Sequence, residues 1–271
     1  MLKKKYGLPI IVAVLAVSLI FVFTAASSVQ QKGTEDDAVK EALTGAISTE
    51  INIGKFESAD GSTATFSTDK TDKIIEAYDA EVDRYFTKDN SVNEYYKWLN
   101  KDIITRTAKD TDKINYVIDA EVPKCSITQI TYSDDGNTAD VQAYIMTSSR
   151  WVDYWPEDSS FHVSNPVEVE QGHYKLVKED GTWKLKSGDG DYVSGDLTAA
   201  NAVSSVSKSA AASAEKVKSA AALRDEITGS TYPDFASALD AADKLNTSVI
   251  TDNLDMMTFV NETNSGGDVQ N

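Results

Sequence analysis

The chain has 271 residues, 41% of them hydrophobic and 25% charged, the proportions of a globular protein rather than a disordered or fibrous one. Its 43 Asp and Glu outnumber 26 Lys and Arg for a net charge of −17, which argues against nucleic-acid binding through a basic face. A single cysteine, Cys125, excludes an internal disulfide and a cysteine-built zinc site, so burial must supply the stability.

Three lysines precede an uncharged, mostly apolar run from Leu8 to Ala26. At 1.5 Å per residue it spans about 28 Å, enough to cross a bilayer core. Lysines before the run and none close after it place residues 1–6 inside and everything downstream outside. Residues 7–26 therefore read as a transmembrane anchor, giving a single-pass protein of the cell membrane. Thr24-Ala25-Ala26 would also suit a signal peptidase, and cleavage there would make the chain secreted.

Residues 27–35 are polar and form a stalk. An α+β domain is expected over residues 36–190. It opens with a helix in which Asp36 or Asp37 is the N-cap and Val39, Leu43 and Ile47 share a face. Ile51 and Ile53 then alternate with polar residues ahead of Asp60-Gly61, which predicts a hairpin. TDKTDKIIEAYDAEVDRYF has its apolar stripe at Ile74, Ile75, Tyr78, Val82, Tyr85 and Phe86, a clear amphipathic helix. The next segment, VNEYYKWLNKDIITRTA, places Tyr95, Trp98, Leu99, Asp102 and Ile103 on a second helical stripe.

From residue 115 the period changes to two. INYVIDAEV, KCSITQITY and NTADVQAYIMT are strand signals, with a turn at Asp135-Gly136-Asn137. Cys125, at the start of one of them, reads as a small buried apolar residue. NPVEVEQGHYKLVKEDGTWKLKS repeats the pattern around Asp180-Gly181, with Trp183 and Leu185 on one face. The GDGDYVSGD that follows reads as a solvated exit into a tail over residues 198–260. That tail is rich in Ala and Ser, and Val203, Val206, Ala210, Val217, Ala220 and Ile227 fall near a three-four repeat. It predicts a helical tail or hairpin, open as to whether it packs on the core, and a possible seat for a protein partner. Residues 261–271 read as disordered. Asn246 and Asn261 head glycosylation sequons.

Little of this carries chemistry. His162 and His173 are the only histidines, and neither lies near a nucleophile elbow or a second metal ligand. SGDGDYVSGD lacks the Glu that closes a calcium loop. No cofactor, metal or catalytic residue is expected. Candidates for proton transfer, were there any, are Asp102 beside Trp98, Leu99 and Ile103, and Asp153 or His173. The most distinctive cluster is SSRWVDYWPED, where Arg150, Trp151, Tyr154 and Trp155 put a cation and three aromatics in a loop after a strand. With Trp98 and Asp102 these are the candidate ligand-binding residues. Packing over the open end of the domain is the competing reading for them.

The Ile74-to-Phe86 helix, NTADVQAYIMT and the Lys178-to-Leu185 hairpin together resemble the nuclear transport factor 2-like superfamily, which includes the SnoaL-like and cystatin-like cones. The resemblance covers about residues 36–190, and the hairpin near residues 50–66 departs from it. It implies helices packed on one side of a curved antiparallel sheet. Members include small-molecule isomerases and hydrolases as well as extracellular domains that catalyse nothing, so it cannot choose the function. The leading expectation is a non-enzymatic, membrane-anchored domain binding a protein, peptide or small apolar ligand. The alternatives are a SnoaL-like enzyme and a structural envelope component.

Overall fold

A computed structural model describes residues 33–55, 68–89, 91–109 and 116–265. Residues 42–271 make one compact unit and residues 1–41 another. The expected anchor at 7–26 and most of the stalk lie outside the described residues. No helix among the described residues is long and apolar enough to cross a membrane.

The chain is α+β; among the described residues three helices stand ahead of a six-stranded antiparallel sheet and a second helical group follows it. Helix α1 covers residues 33–51, α2 Thr68–Tyr85 and α3 Ser91–Lys109. The strands are β1 (Tyr116–Tyr132), β2 (Thr138–Trp155), β3 (Ser160–Ser164), β4 (Val167–Glu179), β5 (Thr182–Tyr192) and β6 (Thr231–Tyr232). The later helices are α4 (Ala199–Ser204), α5 (Ala214–Thr228), α6 (Phe235–Ala242), α7 (Thr247–Thr251) and α8 (Met256–Ser265). The six strands fall in four rows. β1 runs beside β2. On the other side of β2, β4 pairs with Thr138–Ser148 and β3 with Trp151–Trp155, so β3 and β4 lie end to end. β5 and β6 extend those two outward.

The expected hairpin after α1 does not begin at Ile51. Residue 51 ends the helix, Asn52–Gly54 turn, and Lys55 makes a single parallel bridge to Val117. The cause is helix-end chemistry. Gly54 takes a positive φ of 78°, and its N–H donates to Asn100 Oδ1 at 2.9 Å. Asn52 donates to the carbonyls of Ser48 and Ala120. The remainder of that predicted hairpin lies outside the described residues.

Helix α3 is rotated from its expected stripe. Its buried residues are Asn93, Asn100, Ile104 and Thr107, while Tyr95 and Trp98 are exposed. Small polar side chains let α3 sit close to its neighbours: the Asn93 amide donates to Asp83, and the Asn100 oxygen accepts from Gly54. KCSITQITY and the described part of INYVIDAEV, from Tyr116 on, are one bulged strand rather than two. Pro123, which lacks an N–H, lies within the register shift between Glu121 and Lys124 of this edge strand. Cys125 is half-buried rather than buried.

Both expected turns are present. Gly136 has φ 67°, and Asp180 and Gly181 have φ 52° and 82°, a left-handed pair that matches strand twist. Trp183 and Leu185 are buried, and Leu185 takes the backbone N–H of Thr87 at the end of α2. GDGDY is not an exit loop, because β5 continues through it, paired with β4 as far as Glu170↔Tyr192.

The segment after Leu197 folds back onto the sheet. Ala202, Val217, Ala221, Ile250, Leu254, Phe259 and Val260 share a core with Met146, Val167 and Val169. Ala238, Ala241, Ala242 and Leu245 share another with Val152, Phe161 and Val163. Residues 261–265 are helical, not disordered, since Thr263 abuts Gly195 and Asn264 donates to Val193 O at 2.7 Å.

Arg224 of α5 joins these layers. Its Nε and Nη2 donate to Asn165 O at 3.0 and 2.6 Å, and Nη1 donates to Leu197 O at 3.0 Å. Replacing it as Arg224→Met leaves two buried carbonyls unsatisfied, at about 1–3 kcal/mol each. Urea unfolding monitored by tryptophan fluorescence should show a loss of about 2–5 kcal/mol; wild-type stability would mean that the helical layer is not held there.

Candidate functional site

The face of β2 that carries Tyr144 and Met146 passes under α4, α5, α7 and α8, but its earlier half is left open. Strand alternation puts Asp140 and Gln142 on that open half, and register carries the face into β1, β4 and β5. Two rungs result. One runs Thr131, Asp140, Lys175, Ser187 and the other Gln129, Gln142, His173, Asp189. These eight side chains border a groove of about 500 Å³. All are exposed except Gln142, which is half-buried at the centre. The lining therefore holds two amides, two hydroxyls, an imidazole, an ammonium and two carboxylates, and its hydrogen-bonding capacity faces solvent.

The residues expected to bind ligand lie elsewhere and are not together. Arg150–Trp155 form the last stretch of β2 rather than a loop, because β1 and β3 pair with it on both sides. Alternation then splits the cluster. Arg150 forks onto Asp119 at 2.8 and 3.2 Å and donates to Ala242 O at 2.9 Å, so it closes the end of α6. Tyr154 packs edge-on against Phe161 with centroids 5.2 Å apart. Trp151 and Trp155 point the other way. Trp155 stacks on His162 at 4.0 Å and is 48% exposed. Trp151 is half-buried, and its indole N–H has no hydrogen-bond acceptor among the described residues. On α3, Trp98 is 60% exposed beside Tyr95, and Asp102 pairs with Arg106 at 2.6 Å. Asp102 is thus a surface acid one turn from its partner, not a carboxyl inside a cone.

The turn after β2 brings Ser160, His162 and Asp158 together. Ser160 Oγ is 3.1 Å and Asp158 Oδ2 3.0 Å from the same nitrogen, His162 Nε2. A relay needs the two ring nitrogens on different partners, so this is a turn motif and not a triad. The Ser160 hydroxyl, then His162, hold the Asp158 carboxyl below its usual range. Asp153 stands across from His162. Burial pushes its carboxyl up, against the opposing pull of the Ser164 hydroxyl and His162. His173, the other candidate base, lies on the open groove. Among the described residues no group of three or more His, Cys, Asp or Glu could hold a metal ion.

The groove was within reach of the sequence. Counting outward from the turns at 135–137 and 180–181 sets most of the register, and the polar phase of each strand names the open face. The bulge between Lys175 and Leu176, which sets His173 against Asp189, has no local signal.

No protein-family model matches the chain, and no curated protein matches it. Among solved structures, the intermembrane-space region of the chloroplast protein ARC6 is similar over 44% of this chain and 87% of that one. The identity is 20% and the TM-score 0.29, a likeness too distant to carry an argument.

A raised carboxyl binds its proton more readily folded than unfolded, so native stability falls as pH rises through that window. Asp153→Asn removes this dependence. Thermal unfolding from pH 4 to pH 7 should show the variant gaining on wild type as pH rises; a gap that shrinks with pH would mean that Asp153 is stabilised as an anion.

Proposed function

We propose that this chain is a membrane-anchored domain on the outer side of a membrane that binds an extended peptide or protein segment across the open sheet face. The groove is the observation that carries the reading. Four strands at about 4.8 Å spacing make a floor about 14 Å across, the length of about four extended residues. Gln129 and Gln142 each offer a donor and an acceptor, as an extended backbone does, and lie on one rung with His173 and Asp189. The lining is polar throughout its rungs, which favours a peptide over a small apolar ligand. Asp140 and Asp189 against Lys175 favour a segment carrying positive charge.

The Leu8–Ala26 run supports the anchor, and the lysines before it support an extracytoplasmic domain. The order of elements, three helices and then long antiparallel strands, is compatible with a nuclear transport factor 2-like core. In this reading the groove binds and does not catalyse, because its ionisable groups stand in open solvent.

Titration of residues 33–265 with fluorescein-labelled pentapeptides of varied charge tests the site. Basic and neutral peptides should bind, and Gln142→Ala with His173→Ala should weaken binding about tenfold with the melting temperature unchanged. Equal binding by the double variant would remove the groove from the function. Alkaline carbonate extraction of the full chain tests the anchor, with retention in the membrane pellet expected and release marking a cleaved signal.

A further inference from the structure

The opposite face of the β4–β5 ribbon carries a second polar cluster, half-buried against the N-terminal helices. Glu170, Gly172 and Tyr174 share that face of β4, with Tyr192, Gly190 and Gly188 across from them on β5. A Cβ at Gly172 or Gly188 would run into the Tyr174 ring, and one at Gly190 into the Glu170 carboxylate. The three glycines are the slot in which these two side chains lie against the sheet, with the Tyr174 hydroxyl donating to Glu170 Oε1 at 2.6 Å. The helices supply the other wall. Glu50, near the end of α1, is hydrogen-bonded to Tyr96 of α3 and feels the charge of Glu170. Tyr78 of α2 is 9% exposed, interacts with both Glu50 and Tyr96, and its buried hydroxyl has no hydrogen-bond partner among the described residues.

Two carboxyl groups here lie within electrostatic reach of each other, each hydrogen-bonded to a phenol, Glu50 to Tyr96 and Glu170 to Tyr174. The groups acting on Glu50 are Tyr96 and Glu170, and neither is a cation. Such a pair is relieved by a proton or by a positive ligand. Tyr192, 65% exposed, interacts with Glu50 and Glu170 and marks the side on which the cluster meets solvent.

We propose that this cluster binds a primary ammonium group, held between the Glu50 and Glu170 carboxylates with the Tyr78 hydroxyl as a third acceptor. The three N–H bonds of a primary ammonium match three oxygen acceptors, and the surrounding phenol rings favour a cation over their faces. The Tyr78 oxygen, otherwise buried and unpaired, gains a partner. The site is separate from the groove and does not depend on the peptide-binding reading.

Binding requires both carboxyls ionised. Burial pushes the Glu50 carboxyl up, Tyr96 opposes, and Glu170 adds to the rise. The other titratable groups at the site include Tyr78, Tyr96, Tyr174 and Tyr192; Asp79 acts on Tyr78, Tyr95 on Tyr96, Cys125 of β1 on Tyr174 and Glu168 on Tyr192. Phenols and thiol stay neutral in mildly acidic solution, so a fall in pH weakens binding by protonating the raised Glu50 carboxyl.

The test uses n-propylammonium chloride as the probe and tetramethylammonium chloride as the control at equal ionic strength. At pH 7.5 n-propylammonium should raise the melting temperature of wild type and the control should not. Isothermal titration should show Glu50→Gln weakening the probe at least tenfold, Tyr78→Phe weakening it severalfold, and wild-type affinity falling as pH drops to 5. Equal shifts by both salts, or an affinity unchanged in Glu50→Gln, overturn the proposal. Should Glu50→Gln not fold, Tyr78→Phe decides alone, because it removes only an unpaired hydroxyl; unaltered affinity there refutes the site.

Discussion

The architecture turns on one guanidinium at a break in the sheet. Between β3 and β4 the row beside β2 is interrupted at Asn165-Pro166, and proline offers no N–H to bridge the gap. Arg224 supplies donors there, and the Asn165 side chain supplies the rest. Its amide donates to Ser149 O at 2.7 Å and its oxygen accepts from the Thr247 hydroxyl at 2.9 Å. One buried joint thereby ties β2, the β3–β4 row, α5 and α7. Asp225 pairs with the guanidinium at 3.2 Å, and the carbonyls take its other donors, so the carbonyls and the helix that carries Arg224 are mutually required.

That joint decides what the C-terminal helices cover. With α5 and α7 anchored at residue 165, their apolar side chains meet Met146, Val167 and Val169, near the middle of the sheet. The half of the face nearest the 135–137 and 180–181 turns is left to solvent. It is polar where it is open and apolar where it is covered, and the change occurs within β2 between Gln142 and Met146. The groove is thus a consequence of where the helices are pinned.

β4 and β5 then serve two faces at once. His173 and Lys175 point to the open groove, and Glu170 and Tyr174 to the half-buried side. This accounts for Ser187–Tyr192, in which acids and glycines alternate. Asp189 belongs to the open face, and Gly188 and Gly190 are the hollows beneath Tyr174 and Glu170. Glycine weakens a strand by leaving it without side-chain packing, and a side chain laid across from the neighbouring strand restores part of that contact. The run reads as a loop in the sequence because glycine and aspartate are also turn residues. Its role as strand emerges only from the partner Tyr174, which no local pattern names.

The same distinction runs through the rest of the chain. Elements with a strong one-dimensional signal were legible: the α2 stripe, the left-handed turns at Gly136 and Asp180-Gly181, and the alternation of Ala139, Val141, Ala143 and Ile145. Elements set by a distant partner were not. Helix α3 buries Asn93 and Asn100 because the Asn93 amide donates to Asp83 and the Asn100 side-chain oxygen accepts the Gly54 N–H, so its larger aromatics, Tyr95 and Trp98, turn outward against the rule of hydrophobicity. Arg150 and the aromatics after it attract notice as a binding cluster, yet the extended backbone sends alternate members to opposite faces, where Arg150 holds α6. Whether the Ala-rich helices pack on the core was left open by their sequence; small side chains are what let them approach the sheet, as Ala202, Ala221, Ala238 and Ala242 do with no exposed surface.

Charge connects the two candidate sites to the whole. A net charge of −17 gives the protein an overall negative field, screened over about 8 Å at physiological salt. Such a field raises the local concentration of cations near a cleft and depresses that of anions. A basic peptide at Asp140 and Asp189 and an ammonium at Glu50 and Glu170 both follow that field, whereas a phosphate or carboxylate ligand at either place would oppose it. The acid excess that argues against nucleic acid therefore also favours, among small ligands and peptides, those that carry positive charge.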